Sequence, residues 1–357
     1  MTTTYATSAA PPAPTDGDPF AGYRPALDRA HELATAYLAG VANRPVSRRV
    51  DPATMAAALD EPLPETGTNP AAPVAEWFAR AEPGIVASAG PRFFGFVNGG
   101  STPAALAGDW LASAIDQNAG LWLSSAAAAQ TELTVLRWLR ELFGLPAAWS
   151  GALTSGATMA NLVGLAAARQ WAGARLGFDP AADGLGGRPP IPVLSSTEIH
   201  ASALKALGTL GIGRGGVHRL PAPGGAIDPD ALGAALAAID GPAIVVANAG
   251  EVNTGAFDDL HAVAERCAAH PAGAWLHVDA AFGLFAALAP AHAHLVRGID
   301  RADSVAADGH KWLNVSSNTQ RRRLPRAASW SSPTVATVPQ PRPWLLFGRL
   351  GPPRLTP

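Results

Sequence analysis

Only two lysines, Lys205 and Lys311, stand beside 24 arginines in this chain. An amine can attack a carbonyl and form a Schiff base, which a guanidinium cannot do, so a lysine in such company draws attention. Lys311 lies in Asp308-Gly309-His310-Lys311-Trp312, directly after a short apolar run at 304–307. In a desolvated place its pKa would fall and its nitrogen would become nucleophilic; the plainer reading is a solvated loop lysine. A second feature is Trp275-Leu276-His277-Val278-Asp279-Ala280-Ala281, an apolar strand that ends in a carboxylate. A buried carboxylate is costly without a cation or donors, and a protonated pyridine nitrogen is one such partner; a turn cap is the plainer reading. The third is Leu153-Thr154-Ser155-Gly156-Ala157-Thr158-Met159-Ala160-Asn161, small residues that open a helix. Free N–H groups, the positive helix end and the Thr158 hydroxyl suit a phosphate there, although an ordinary N-cap uses the same residues. The fourth is His200, just after a strand, whose ring could stack on a flat heterocycle or simply cap the next helix.

The elements that must position these groups follow from periodicity. Apolar residues at helical spacing predict helices over 25–42, 103–115 and 126–142, with shorter ones near 55–59 and 74–80. From 151 onward helices and short apolar strands alternate: a loop at 151–156, a helix over 158–176, and strands at 191–195, 217–220, 243–248, 275–279 and 304–307. Helices at 201–210, 229–239 and 260–269 separate the strands. Such alternation is the pattern of a mostly parallel sheet covered on both faces, with chemistry at the strand C-termini. The organisation expected is a disordered arm (1–19), an N-terminal helical segment (20–100), a large domain (101–315) and an Arg/Pro-rich tail (316–357). The tail carries seven arginines, eight prolines and no acidic residue, whereas residues 1–315 have a net charge of −9. A segment so dense in proline is not expected to complete a sheet, and the abrupt change is what a reading-frame change would produce.

Composition narrows the class of function. With 48% hydrophobic and 15% charged residues and a net charge of −2, the chain has a core to bury and no basic excess for nucleic acid. One cysteine, Cys267, excludes a disulfide framework, and no apolar run approaches a membrane span. A cytoplasmic enzyme is expected. Two rival motifs are present. His277, Asp279, His292 and His294 have spacings found in zinc hydrolases, and 211–216 fits G-x-G-x-x-G, but follows a helix and precedes a strand, the reverse of the dinucleotide fingerprint.

A lysine, a strand-end acid and a phosphate cradle are together what pyridoxal 5'-phosphate requires. At these residues the chain resembles the group II pyridoxal-phosphate-dependent amino acid decarboxylases, which include the aromatic-amino-acid and glutamate enzymes. The resemblance runs from about 91 to 315 and is most specific in GATMANLVGLAAAR, EIHASALKALG, NTGAFDDL, WLHVDAAFG and ADSVAADGHKWLNV. It implies the aspartate-aminotransferase-like fold (fold type I), a homodimer, an L-amino acid substrate, and neither nucleic acid nor membrane as partner. It also implies roles: Lys311 for the Schiff base with His310 beside it, Asp279 for the pyridine nitrogen, and Ala281 near the ring. His200 would stack on the ring, Ala157 and Thr158 would bind phosphate, Asp308 would fill a polar slot near the lysine, and Asn253 and Thr254 would approach from a loop. Lys205, on the helix after His200, is the competing lysine. The family continues past this lysine into a C-terminal small domain and a loop whose tyrosine protonates the carbanion. Here the tyrosines are Tyr5, Tyr23 and Tyr37 only, so a truncated cofactor-binding protein with little activity is the alternative expectation.

Overall fold

A computed structural model describes residues 20–118 and 120–315 together with the backbone of 334–339. The expected arm at 1–19 and most of the tail lie outside the described residues. The chain divides into two units, Met1–Val97 and Asn98–Pro357. In the first, α1 (Tyr23–Gly40), α2 (Pro52–Leu59) and α3 (Ala71–Ala81) are joined by loops. Asp51 caps α2 by accepting the Thr54 N–H at 2.9 Å, with Pro52 in the first turn, where no N–H is needed. Tyr37 meets Phe78 edge to face at 6.3 Å, and Arg44 lies over the Tyr37 ring.

The second unit begins with α4 (Pro103–Ile115) and α5 (Ala126–Leu142). There follow β1 (Trp149–Thr154), α6 (Ala157–Arg175), β2 (Val193–Ser196), α7 (Ala201–Thr209), β3 (Val217–Leu220) and α8 (Pro229–Ala237). β4 (Ala243–Asn248), α9 (Leu260–Ala269), β5 (Ala274–Asp279), β6 (Ser304–Asp308), the short α10 (Gly309–Trp312) and β7 (Thr334–Pro339) complete it. The sheet order is β1-β7-β6-β5-β4-β2-β3. β3, β2, β4, β5 and β6 run parallel, and β7 lies antiparallel between β6 and β1. This is the mostly parallel, helix-flanked sheet of the fold type I enzymes.

Alternation along the strands builds a core on each face. Val245, Ala247, Leu276, Val278, Val305 and Ala307 pack on the side of α8 and α9. Ile244, Val246 and Trp275 pack with residues of α6 and α7 on the other. By the same alternation Trp275, His277 and Asp279 share the α6 face of β5, as Ser304, Ala306 and Asp308 do on β6.

Two expectations are corrected. The stretch expected as a loop at 151–156 is mostly β1, because its pairing with β7 stands in for the β-branched residues that Ser150-Gly151-Ala152 lacks. The Leu153 N–H is further satisfied by Glu132 Oε1 at 2.8 Å. The tail was not expected to enter the sheet, yet Thr334–Pro339 does. Within that window Thr and Val dominate and the only proline is the last residue, so the proline density of the whole tail hides a good strand. The G-x-G-x-x-G segment forms the turn from α7 to β3, with Gly213 N–H donating to Leu207 O at 3.1 Å.

One buried carboxylate ties the loops together. Asp258 is 2% exposed and accepts the N–H groups of Ile227 and Asn248, both at 2.6 Å. Burial outweighs these donors and, with the Glu251 charge adding to it, raises the Asp258 pKa from 3.8 to about 6. The folded chain therefore keeps a proton that the unfolded chain releases, so this contribution to stability falls as pH rises from 3.8 to about 6. Asp258→Asn should remove that slope. Denaturant unfolding across the interval is expected to show the parent losing up to about 3 kcal/mol relative to the variant.

Candidate active site

Six strands send their C-terminal ends to one edge of the sheet, and the residues singled out by chemistry collect there. Asp279 ends β5 and is 8% exposed. Its Oδ2 accepts from Asn161 Nδ2 at 2.9 Å and its Oδ1 from the Ala281 N–H at 3.3 Å. Among the described residues no lysine or arginine forms an ion pair with it. A carboxylate so placed has two neutral donors and no cation, an arrangement that suits a positively charged group arriving from outside the chain.

The helix α6 starts beside it. Gly156 precedes it at φ 140°, a conformation closed to side chains. The N–H groups of Met159 and Ala160 turn back to Gly156 O at 2.9 and 3.0 Å. Those of Ala157 and Thr158 have no hydrogen-bond partner among the described residues, which leaves two donors and the positive helix end for an anion. Asn161, one turn further on, is fully buried.

Lys311 is half-buried in α10, after Asp308 at the end of β6. Asp308 is 2% exposed and its Oδ1 lies 2.6 Å from His310 Nδ1. Three hydrogen bonds fix this turn. The Trp312 indole N–H donates to Phe282 O at 3.0 Å, joining the segment after β6 to the segment after β5. Gly99 N–H donates to His310 O at 3.2 Å, and Thr102 N–H to Asn314 O at 2.8 Å. The loop before α4 thus lies directly on the backbone of the lysine turn.

His200 caps α7, its Nδ1 accepting the Ser202 N–H at 3.2 Å and lying 2.7 Å from Ser202 Oγ. Ser202 Oγ in turn lies 3.0 Å from Asn161 Nδ2. Asn161 therefore connects α6, Asp279 and the His200 turn. Thr254 is turned elsewhere: its hydroxyl donates to Glu251 and packs against Gly225, while Asn253 Nδ2 donates to Glu198 Oε2 at 3.0 Å. Burial pushes Glu251 up, but donors from Thr254, Asn253 and Gly255 outweigh it and hold its carboxyl below the usual range. Lys205 sits on α7, within the helix.

His277 is committed to the interior. It is fully buried, with Nδ1 2.8 Å from Ser304 Oγ and Nε2 2.8 Å from Asn161 Oδ1. Burial lowers its pKa from 6.5 to about 4 against the opposing pull of Asp279, so the ring is neutral. With both nitrogens engaged it is not available as a zinc ligand, and no group of three His, Cys, Asp or Glu side chains is arranged for a metal among the described residues. Asn161, Ser202 and Ser304 were not singled out from the sequence. The signal for Asn161 is its i+4 spacing from Ala157, which puts both on one face of α6.

Residues 52–320 match the family model described as pyridoxal-dependent decarboxylase conserved domain. The chain belongs to that family. The match starts earlier than the resemblance noted from 91 and reaches five residues beyond 315. Aromatic-L-amino-acid decarboxylase of Bacillus atrophaeus is 30% identical over 296 residues, covering 80% of this chain and 58% of that protein. Cysteine sulfinic acid decarboxylase of Homo sapiens is 36% identical over 231 residues, covering 62% and 45%. The crystal structure of Oryza sativa TDC with PLP and tryptamine superposes with a TM-score of 0.77 at 27% identity, covering 92% of this chain and 65% of that one. This family member thus spans 45–58% of the length of these two curated relatives.

The close approach at Gly99 gives a direct test of how the lysine turn is held. A methyl group there would lie 2.7 Å from Lys311 O and 2.9 Å from His310 O, both backbone atoms that cannot swing aside. Gly99→Ala should displace the lysine turn and weaken pyridoxal phosphate binding about tenfold or more, while thermal unfolding shifts by only a few degrees. Absorbance titration and a melting curve of the same preparation check both halves.

Proposed function

We propose that this chain binds pyridoxal 5'-phosphate and, with it, removes the α-carboxylate of an L-amino acid, with Lys311 as the residue that engages the cofactor's aldehyde carbon. The observation that carries the reading is Asp279: a buried carboxylate with two neutral donors and no cation, at the same sheet edge as a half-buried lysine. Membership of the family, and relatives named as decarboxylases of aromatic amino acids and of cysteine sulfinic acid, support it.

When bound, the cofactor supplies a protonated ring conjugated to the substrate's α-carbon, which accepts the electron pair released as carbon dioxide departs. The chain's own residues do the rest. Asp279, held by Asn161 and Ala281, keeps the proton at the pyridine nitrogen. Ala157 and Thr158 give their N–H groups, and Thr158 its hydroxyl, to the phosphate at the start of α6. His200 would stack on one face of the ring, with Ala281 near it. Lys311 offers its amine from a turn that Gly99 and Trp312 hold in place, with Asp308 orienting His310 next to it.

We read the working form as a cytoplasmic homodimer. Trp110, Leu111 and Ile115 of α4, Leu123 of the following loop, and Leu133 and Trp138 of α5 are all exposed, an apolar surface that a second copy would cover. No described helix is long and apolar enough to cross a membrane.

Reduction with borohydride after addition of pyridoxal phosphate, followed by peptide mapping, tests the reading. The expected product is a single stable adduct on Lys311, absent from Lys311→Ala. An adduct on Lys205, or none in folded protein, would overturn it. A carbon dioxide assay with a panel of L-amino acids then separates a decarboxylase from a chain that only captures the cofactor.

A further inference from the structure

The polar groups buried between α6 and the sheet have only one consistent arrangement of protons, and it starts from Asp279. An ionised carboxylate only accepts, so the Asn161 atom 2.9 Å from Asp279 Oδ2 must be the amide nitrogen, and the amide cannot be turned over. Asn161 Oδ1 then faces His277 Nε2 at 2.8 Å, which must carry the proton. The ring is neutral, so its Nδ1 accepts from the Ser304 hydroxyl at 2.8 Å, and Ser304 Oγ accepts in turn from the Trp275 indole N–H at 2.9 Å.

The second amide proton of Asn161 points to Ser202 Oγ at 3.0 Å. Ser202, accepting there, gives its own proton to His200 Nδ1 at 2.7 Å, which also receives the Ser202 backbone N–H. His200 therefore bears its proton on Nε2. Asn161, Ser202, His277 and Ser304 are all at most 4% exposed, so water does not compete within the chain. Gly164 makes the approach possible: a methyl group on it would lie 2.6 Å from His277 Cε1.

We propose that Asn161 is the positioning residue of this site: one carboxylate sets its amide, and the amide sets two histidines, so that His277 braces it from below and His200 is presented as an Nε2–H donor. Its consequence for chemistry rests on the function proposed above. In that reading His200 reaches the bound molecules with a proton to give and no lone pair to take one, and so acts by hydrogen-bond donation rather than as a base. The same amide steadies the carboxylate that meets the pyridine ring.

Long-range ¹H–¹⁵N spectra of the unloaded chain with labelled histidine, at neutral pH, read the assignment directly. Histidine signals are assigned with His200→Gln and His277→Gln. Both rings are expected as single Nε2–H tautomers. In Ser202→Ala, a small change at the start of a helix, His277 should keep its signals while the Nδ1–H form of His200 gains population. In Asn161→Ala both rings should lose their single form, and affinity for pyridoxal phosphate should fall about ten- to hundredfold. A proton on Nδ1 of His200 in the parent, or unchanged His200 signals in both variants, would overturn the inference. Failure of the parent to bind pyridoxal phosphate would instead strike the functional reading, since the tautomers are measured without cofactor.

Discussion

A negative charge held out of water at the end of β5 is the constraint around which the second unit is built. Transfer of a carboxylate from water is tolerated only where donors or a cation receive it. At Asp279 the fold provides two neutral donors, one from the helix on the sheet's face and one from the backbone two residues on. Among the described residues no basic side chain is paired with it.

The surrounding architecture can be understood as what this arrangement demands. β4, β5 and β6 run parallel, so Asn248 and Asp279 emerge side by side at one edge, and Asp308 follows two residues beyond Ala306, the partner of Asp279 on β6. Helix α6 must lie close enough for Asn161 to reach β5, and the missing side chain at Gly164 permits it. Gly156 allows the chain to leave β1 and enter α6 with its first N–H groups turned outward. The polar residues of the α6 face, Ser304 and His277, are paired with each other and with Asn161, so none of them competes for the carboxylate.

Much of this was legible in the sequence because period and punctuation agree. The helices at 103–115 and 126–142 and the strands at 217–220 and 243–248 have the bounds that periodicity predicts. Asp279 and Lys311 could be picked out because a strand-end acid and a scarce lysine are chemically conspicuous. What escaped was set by partners distant in sequence. β1 has no β-branched residue in Ser150-Gly151-Ala152, and its place comes from pairing. Thr334–Pro339 is a local island inside a proline-rich stretch, where an average over the tail misleads. His277 looked like a metal ligand next to an aspartate; only the packing of α6 shows both of its nitrogens engaged by Asn161 and Ser304. Asn161 and Ser202 are ordinary helix residues by type, and their importance comes from facing one another across 41 positions.

The central claim is that the carboxylate of Asp279 receives a protonated ring nitrogen. Binding of pyridoxal phosphate and of its analogue with carbon in place of that nitrogen, compared by calorimetry on the parent and on Asp279→Ala, addresses it without any need for turnover. The parent should hold the natural compound about tenfold or more tightly than the analogue, the strength of one charge-assisted hydrogen bond, and the variant should not discriminate. Equal affinity of the two compounds for the parent would contradict the account.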